Sequence, residues 1–145
     1  MSSGDQNKVE YAVMTPQSLV LDSVSNAGST LQIILAGIPD EATTQKAHPS
    51  MLSIADAVTH LSESYVAFVA HEKGEEHQWG SFKSSATSFD EAVGELFDLR
   101  AQAVALITDD ASESTLKSAL DYLANHDWYH IGQIATNRQV FQPEW

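Results

Sequence analysis

The chain has 145 residues, 43% of them hydrophobic, with no cysteine and a net charge of −13 from 7 basic and 20 acidic side chains. That length and composition fit one domain, residues 1–145, with a real core, and the lack of cysteine excludes disulfides, thiolate ligands and a cysteine nucleophile. Seven scattered Lys and Arg residues make no basic stripe, which argues against nucleic acid or an anionic membrane as partner.

The first 14 residues are polar and read as a loose lead-in, without the basic start and apolar core of a signal peptide. Thr15-Pro16 then has the form of a helix start, an N-cap followed by proline at the first helical position. Val20, Val24, Ala27, Leu31, Ile34 and Ile38 recur at steps of three and four, which predicts an amphipathic helix over roughly 16–36. A connector with Pro39, His48 and Pro49 follows. Ser53 and Asp56 match a capping box, and Ile54, Val58, Leu61, Tyr65 and Phe68 predict a second helix over roughly 54–72. Residues 73–87 are the most polar stretch and read as a long solvent-exposed loop.

Ser88 and Glu91 suggest another capping box, ahead of a third helix over roughly 89–107 carrying Phe89, Val93, Leu96, Phe97, Ala103, Val104 and Ile107. Thr108-Asp109-Asp110 is a short break. Ser112 or Ser114 caps a fourth helix, roughly 113–141, unusually long and open to being entered through a separate short helix. No stretch alternates as a strand does, and no apolar run nears the roughly 18–20 residues of a membrane span. The expected fold is all-α, a four-helix bundle, and the default setting is soluble and cytoplasmic.

Within the fourth helix stand His126-Asp127-Trp128-Tyr129-His130. Histidines at i and i+4 project from one helix face, one turn apart, a spacing that gives two nitrogen ligands to one metal ion. At about 100° per residue His130 falls near the middle of the stripe Leu116, Leu120, Leu123, Ile134 and Phe141, and His126 near its edge. His60, on the flank of the second helix, is the candidate third ligand. Three imidazoles can hold Zn, Ni, Fe or Mn and leave a position open for chemistry. The plainer alternative is two core-edge histidines satisfied by Asp or backbone, with His60 exposed. His48, His71 and His77 read as surface or hydrogen-bonded residues. Gly132 suits close helix packing, and Gln133 either supports a ligand or faces solvent.

Two segments carry a family resemblance. Leu52-Ser53-Ile54-Ala55-Asp56-Ala57-Val58-Thr59-His60-Leu61 is similar to the W-S-I-x-E-x-x-x-H-L segment of the DinB-like (YfiT-like) metalloenzymes, and His126-Asp127-Trp128-Tyr129-His130-Ile131-Gly132-Gln133-Ile134 resembles their H-x-x-x-H-R-G-Q-I. The order of the motifs and the helical pattern agree over nearly the whole chain. The resemblance implies a four-helix bundle, often dimeric, with a divalent metal held by His60, His126 and His130. It also implies a stress-related setting and, in some members, transfer or isomerisation chemistry with a low-molecular-weight thiol as cosubstrate. Ile131 and Leu52 depart from the pattern, standing where the family usually has Arg and often Trp, and the segment between helices three and four is short.

Three functions compete. In the first, the metal activates a thiol or water toward a small electrophilic molecule, with Asp56, Glu63 and Asp127 as unranked candidates for proton transfer. In the second, His126-Asp127-x-x-His130 works as a zinc peptidase motif, for which the chain offers no strands to bind a peptide. The third is a non-catalytic, metal- or ligand-binding dimer. Trp128, beside Ala124, Ile131 and Ala135, marks a second apolar strip that points to wide burial or to a homodimer contact.

Overall fold

The computed structural model describes residues 13–145, so all of the polar lead-in except Val13 and Met14 lies outside the described residues. The helices are α1 (Pro16–Leu35), a single turn α2 (Asp40–Thr43), α3 (Ile54–Glu72), α4 (Phe89–Val104), α5 (Glu113–Leu120) and α6 (His126–Phe141). A π-helical segment, Asp121–Asn125, joins α5 to α6 without a break. No strand occurs among the described residues.

Helix starts follow the capping chemistry. Thr15 and Ser18 bond each other's backbone N–H reciprocally at 3.1 and 2.8 Å, and Ser53 and Asp56 do the same at 3.0 and 3.2 Å. Ser88 accepts from Glu91 N–H at 3.2 Å, but the Glu91 carboxylate reaches one residue further back, to the N–H and hydroxyl of Thr87. The expected box is therefore half made. Ser112, not Ser114, caps α5. The third helix ends at Val104, three residues earlier than its apolar spacing suggests, and Leu106 and Ile107 continue in tighter i→i+3 turns.

The apolar faces meet in one core. Val24, Leu31, Ile54, Val58, Leu61, Tyr65, Phe68, Leu96, Leu123 and Ile134 are all essentially inaccessible. Burying a side chain of this size contributes about 1.5–3 kcal/mol. α3 packs against α4 on one side and α6 on the other, and α1 lies along the α5–α6 column. α1 and α4 meet only lightly and leave a groove of about 430 Å³, lined by none of the three candidate histidines. The result is the expected all-α bundle of four main helices, with the fourth assembled from α5, the π segment and α6.

Two α6 side chains tie the ends together. Arg138 Nη1 donates to the Ile34 carbonyl at 2.9 Å, satisfying one of the orphan acceptors at the end of α1. Asn137 donates to Leu52 O at 2.7 Å and accepts from Ala47 N at 2.9 Å, which fixes the connector that feeds α3.

The apolar strip expected around Trp128 resolves mostly into burial. Ala124 and Ile131 belong to the core, whereas Trp128 keeps 45% of its surface exposed.

Candidate metal centre

His60 sits in the second turn of α3, and His126 opens α6 directly after the π segment. The π turn arises because His126 N–H bonds Asp121 O, five residues back, adding one residue to that turn. Such wide turns recur at functional positions. His130 follows one α-helical turn later.

All three rings meet. Nε2 of His126 lies 3.1 Å from Nε2 of His60 and 3.1 Å from Nε2 of His130. One ligating nitrogen from each histidine falls within 4.8 Å of the other two. His130 is buried, while His60 and His126 are partly covered. His130 Nδ1 is 2.8 Å from Gln133 Oε1, and the Gln133 amide in turn donates to Tyr129 OH at 3.2 Å. The Gln133 oxygen therefore accepts the Nδ1 proton, and the His130 Nε2 lone pair is left facing the other two rings. Gln133 thus orients a potential ligand, one of the two roles open to it from sequence.

The donor set fits a divalent metal ion. An imidazole nitrogen binds zinc at about 2.0–2.1 Å, so two such nitrogens on one tetrahedral ion lie about 3.3 Å apart. The two Nε2 separations of 3.1 Å are close to that. A hydrogen bond between two rings would use one proton, but three nitrogens converge here. His126 Nδ1, moreover, is buried with no hydrogen-bond partner among the described residues. Burial pushes His126 down to about 4 from its ordinary 6.5, with His130 and His60 adding to the fall. His130 is lowered too, by burial and by His60, against an opposing bond from Gln133. Neutral rings with free lone pairs are the state that binds metal. The cluster can coordinate a divalent ion.

The polar loop is not simply exposed. Glu63, 8% exposed on α3, accepts from His77 Nε2 at 2.9 Å, from Gly80 N–H at 2.6 Å and more weakly from Phe82 N–H at 3.4 Å. Burial alone would raise the Glu63 pKa, but these three donors outweigh it and hold the carboxyl below its ordinary value. Gly80 takes φ +84°, a left-handed turn that favours glycine, and presents its N–H to Glu63. Trp79 is thereby laid against His60, with ring centroids 6.1 Å apart and planes 30° from parallel. His77 meets Trp79 edge-on at 5.3 Å. A cavity of about 220 Å³ adjoins the cluster, lined by Ser64, Trp79, Asp121, Tyr122 and His126.

Behind the histidines lies a closed polar network. Asp127 is fully buried, accepting from Tyr65 OH at 2.8 Å and from Arg100 Nε at 3.1 Å. Arg100 also donates to Val24 O at 2.6 Å and Leu123 O at 3.1 Å. Burial drives Asp127 up to about 6, against the pull of Arg100 and Tyr65, and drives Tyr65 well above its ordinary value. Gly28 makes room for the guanidinium, since a Cβ there would stand 2.5 Å from Arg100 Nη1.

The three carboxylates considered for proton transfer are all engaged. Asp127 is in that network, Glu63 holds the loop, and Asp56 caps α3 and sits 3.7 Å from Lys46. His48 bonds Ser50 at 2.6 Å and His71 is exposed, so neither joins the cluster. Gly132 is exposed with open space where a Cβ would stand, so close helix packing does not explain it.

Sequence reading missed Arg100 and Trp79, and took Tyr65 as an apolar stripe residue only. Arg100 carried a signal, because it stands four residues after Leu96 and three before Ala103, on the apolar stripe of its helix. A charge in that register requires a buried partner. Trp79, in a loop without periodicity, carried none.

No curated protein and no solved structure matches the chain. The DinB superfamily profile matches residues 25–134, a span that contains His60, His126 and His130, and the chain belongs to the DinB superfamily.

Proposed function

We propose that the protein is a metal-dependent enzyme that directs a thiol, or water, at a small electrophilic molecule. The observation that carries this reading is the convergence of three imidazole Nε2 atoms beside an apolar cavity. His60, His126 and His130 would hold the ion, with Zn, Ni, Fe and Mn all compatible with three nitrogen donors. Bound there, a divalent ion supplies Lewis acidity, lowering the pKa of a thiol or water at its open position.

The protein's own groups do the rest. Gln133 keeps the His130 Nδ1 proton and so keeps Nε2 as a donor of electrons. Trp79 lies against one face of His60. In the thiol version, sulfur bonds the electrophilic carbon, the leaving group departs with its electron pair, and the thiol proton passes to solvent. Asp127 is not a convenient base, because both of its oxygens are bonded inside the bundle. That favours thiol or water chemistry over the zinc-peptidase reading, in which the carboxylate of this motif would activate water.

We also infer a cytoplasmic homodimer that contacts its copy through the outer face of α6, where Trp128 and Tyr129 are 45% and 64% exposed. No helix among the described residues is long and apolar enough to cross a membrane, and the charge of −13 disfavours nucleic acid. Sedimentation of a monomer at micromolar concentration would overturn the dimer.

The function is tested by following consumption of low-molecular-weight thiols with alkyl and aryl electrophiles, using protein loaded with each metal. Turnover that disappears in His126→Ala supports the enzyme. Stoichiometric metal without turnover of thiol or water substrates would favour the non-catalytic binding reading.

A further inference from the structure

We propose that the cavity beside the histidines is a recognition subsite for one small, uncharged aromatic ring, and that this ring is the part of the substrate the protein selects. The proposal rests on the metalloenzyme reading for what happens after binding, but the subsite itself needs no metal.

The walls are flat and apolar. Trp79 and Tyr122 both line the cavity, and its surface is almost wholly carbon. Two of the polar side chains at the wall are already engaged. Ser64 Oγ donates to His60 O at 2.9 Å, and Asp121 is paired with Lys117 at 3.1 Å. Beyond His126, whose Nδ1 has no partner among the described residues, a ligand entering here would find more carbon to stack against than polar atoms to bond. An anion would face the Asp121 carboxylate at the wall and the negative field of a chain of charge −13.

Size narrows the class. A cavity of about 150 Å³ is enough to hold benzene, and drug-sized ligands occupy roughly 300–1,000 Å³. At about 220 Å³ this one suits a single ring with a short substituent, not a fused bicycle. The walls are also set in advance. Tyr122 packs on the fully buried Phe68 with ring centroids 5.9 Å apart. Trp79 is held by His77 and His60, and its loop is pinned by the three bonds to Glu63. Trp79 nevertheless keeps 52% of its surface exposed, surface that a ligand can cover. Because His126 lines both the cavity and the cluster, a ring seated here would bring its substituent to the metal centre.

The test is a titration of the full chain with benzyl alcohol, benzoate and 1-naphthol, followed by the indole N–H resonances in proton–nitrogen spectra. Trp79→Phe identifies the Trp79 signal. The expected result is a saturable shift of that signal with benzyl alcohol, and at least tenfold weaker response to benzoate and 1-naphthol. Calorimetry on Trp79→Ala, whose exposed loop position spares the core, should show at least tenfold weaker benzyl alcohol binding. His130→Ala, a residue outside the cavity wall, should bind benzyl alcohol as the wild type does while losing metal. Binding indifferent to Trp79→Ala, a preference for benzoate, or loss of binding in His130→Ala would each overturn the assignment. Metal uptake measured on the same samples separates failure of the subsite from failure of the metal centre.

Discussion

Two polar clusters stand side by side, one shared by α3 and α6 and the other by α3, α4 and α6, and they are built on opposite principles. Tyr65, Asp127 and Arg100 form a network in which each group has a partner of opposite kind. His60, His126 and His130, one residue away in sequence at the 126–127 junction, point nitrogens of the same kind at one another. The first cluster is complete without a ligand. The second satisfies its own atoms poorly, down to a buried His126 Nδ1 with no partner among the described residues. Completeness marks a group kept for the fold, and convergence of like donors marks one kept for something that binds.

The contrast is broken most severely at Asp127. Asp127→Ala leaves the Arg100 charge buried and unpaired, and should cost about 3–5 kcal/mol in urea denaturation. His126→Ala, its neighbour, should cost the metal-free fold about 1 kcal/mol or less, because a partly exposed ring with an unsatisfied nitrogen is lost. Equal losses at the two positions would erase the distinction between the clusters.

A smaller effect separates orientation from ligation. Gln133→Ala removes the acceptor that holds the His130 tautomer, and should weaken metal binding by about 10–100-fold with the ligands intact. Competition with a chromophoric chelator gives the number. Unchanged affinity would return Gln133 to the surface.

Acid should sharpen the comparison in the metal-free protein, since the clusters titrate with opposite sign. The folded value of His126, about 4, lies below its ordinary 6.5, so the folded chain binds fewer protons between them. That contribution is complete above pH 6.5 and is lost as pH falls through 4. His130 shifts in the same direction. Asp127, raised to about 6 from 3.8, has a contribution present at low pH and lost as pH rises through 6. Two histidines against one carboxylate predict net loss of stability from pH 6.5 toward 4. In His126→Asn the urea midpoint should fall less over that range, and an unaltered slope would place the acid sensitivity elsewhere.

The smallest change is Gly132→Ala. With open space at the Cβ position, alanine should stabilise α6 by up to about 1 kcal/mol without altering metal content.

How much of this was legible follows from which residues speak through spacing. The four main helices and the caps at Thr15 and Ser53 came from local periodicity and local hydrogen bonding, and they stand nearly as spaced. His126 and His130 were readable as a pair for the same reason, and His60 as a flank position within reach of another helix. The π segment was not, because five residues are too few to shift an apolar stripe visibly. Nor was the path of residues 73–87, whose course depends on Glu63, a buried carboxylate in another helix, catching His77 and Gly80. Trp79 owes its place beside His60 to that long-range bond, which no local rule encodes.

The central claim is that the three histidines form one metal centre. Elemental mass spectrometry of protein purified without chelator, wild type beside His130→Ala, tests it directly. The account predicts about one divalent ion per chain in the wild type and little in the variant. A wild type that holds none, and takes up none from added Zn, Ni, Fe or Mn, would contradict it.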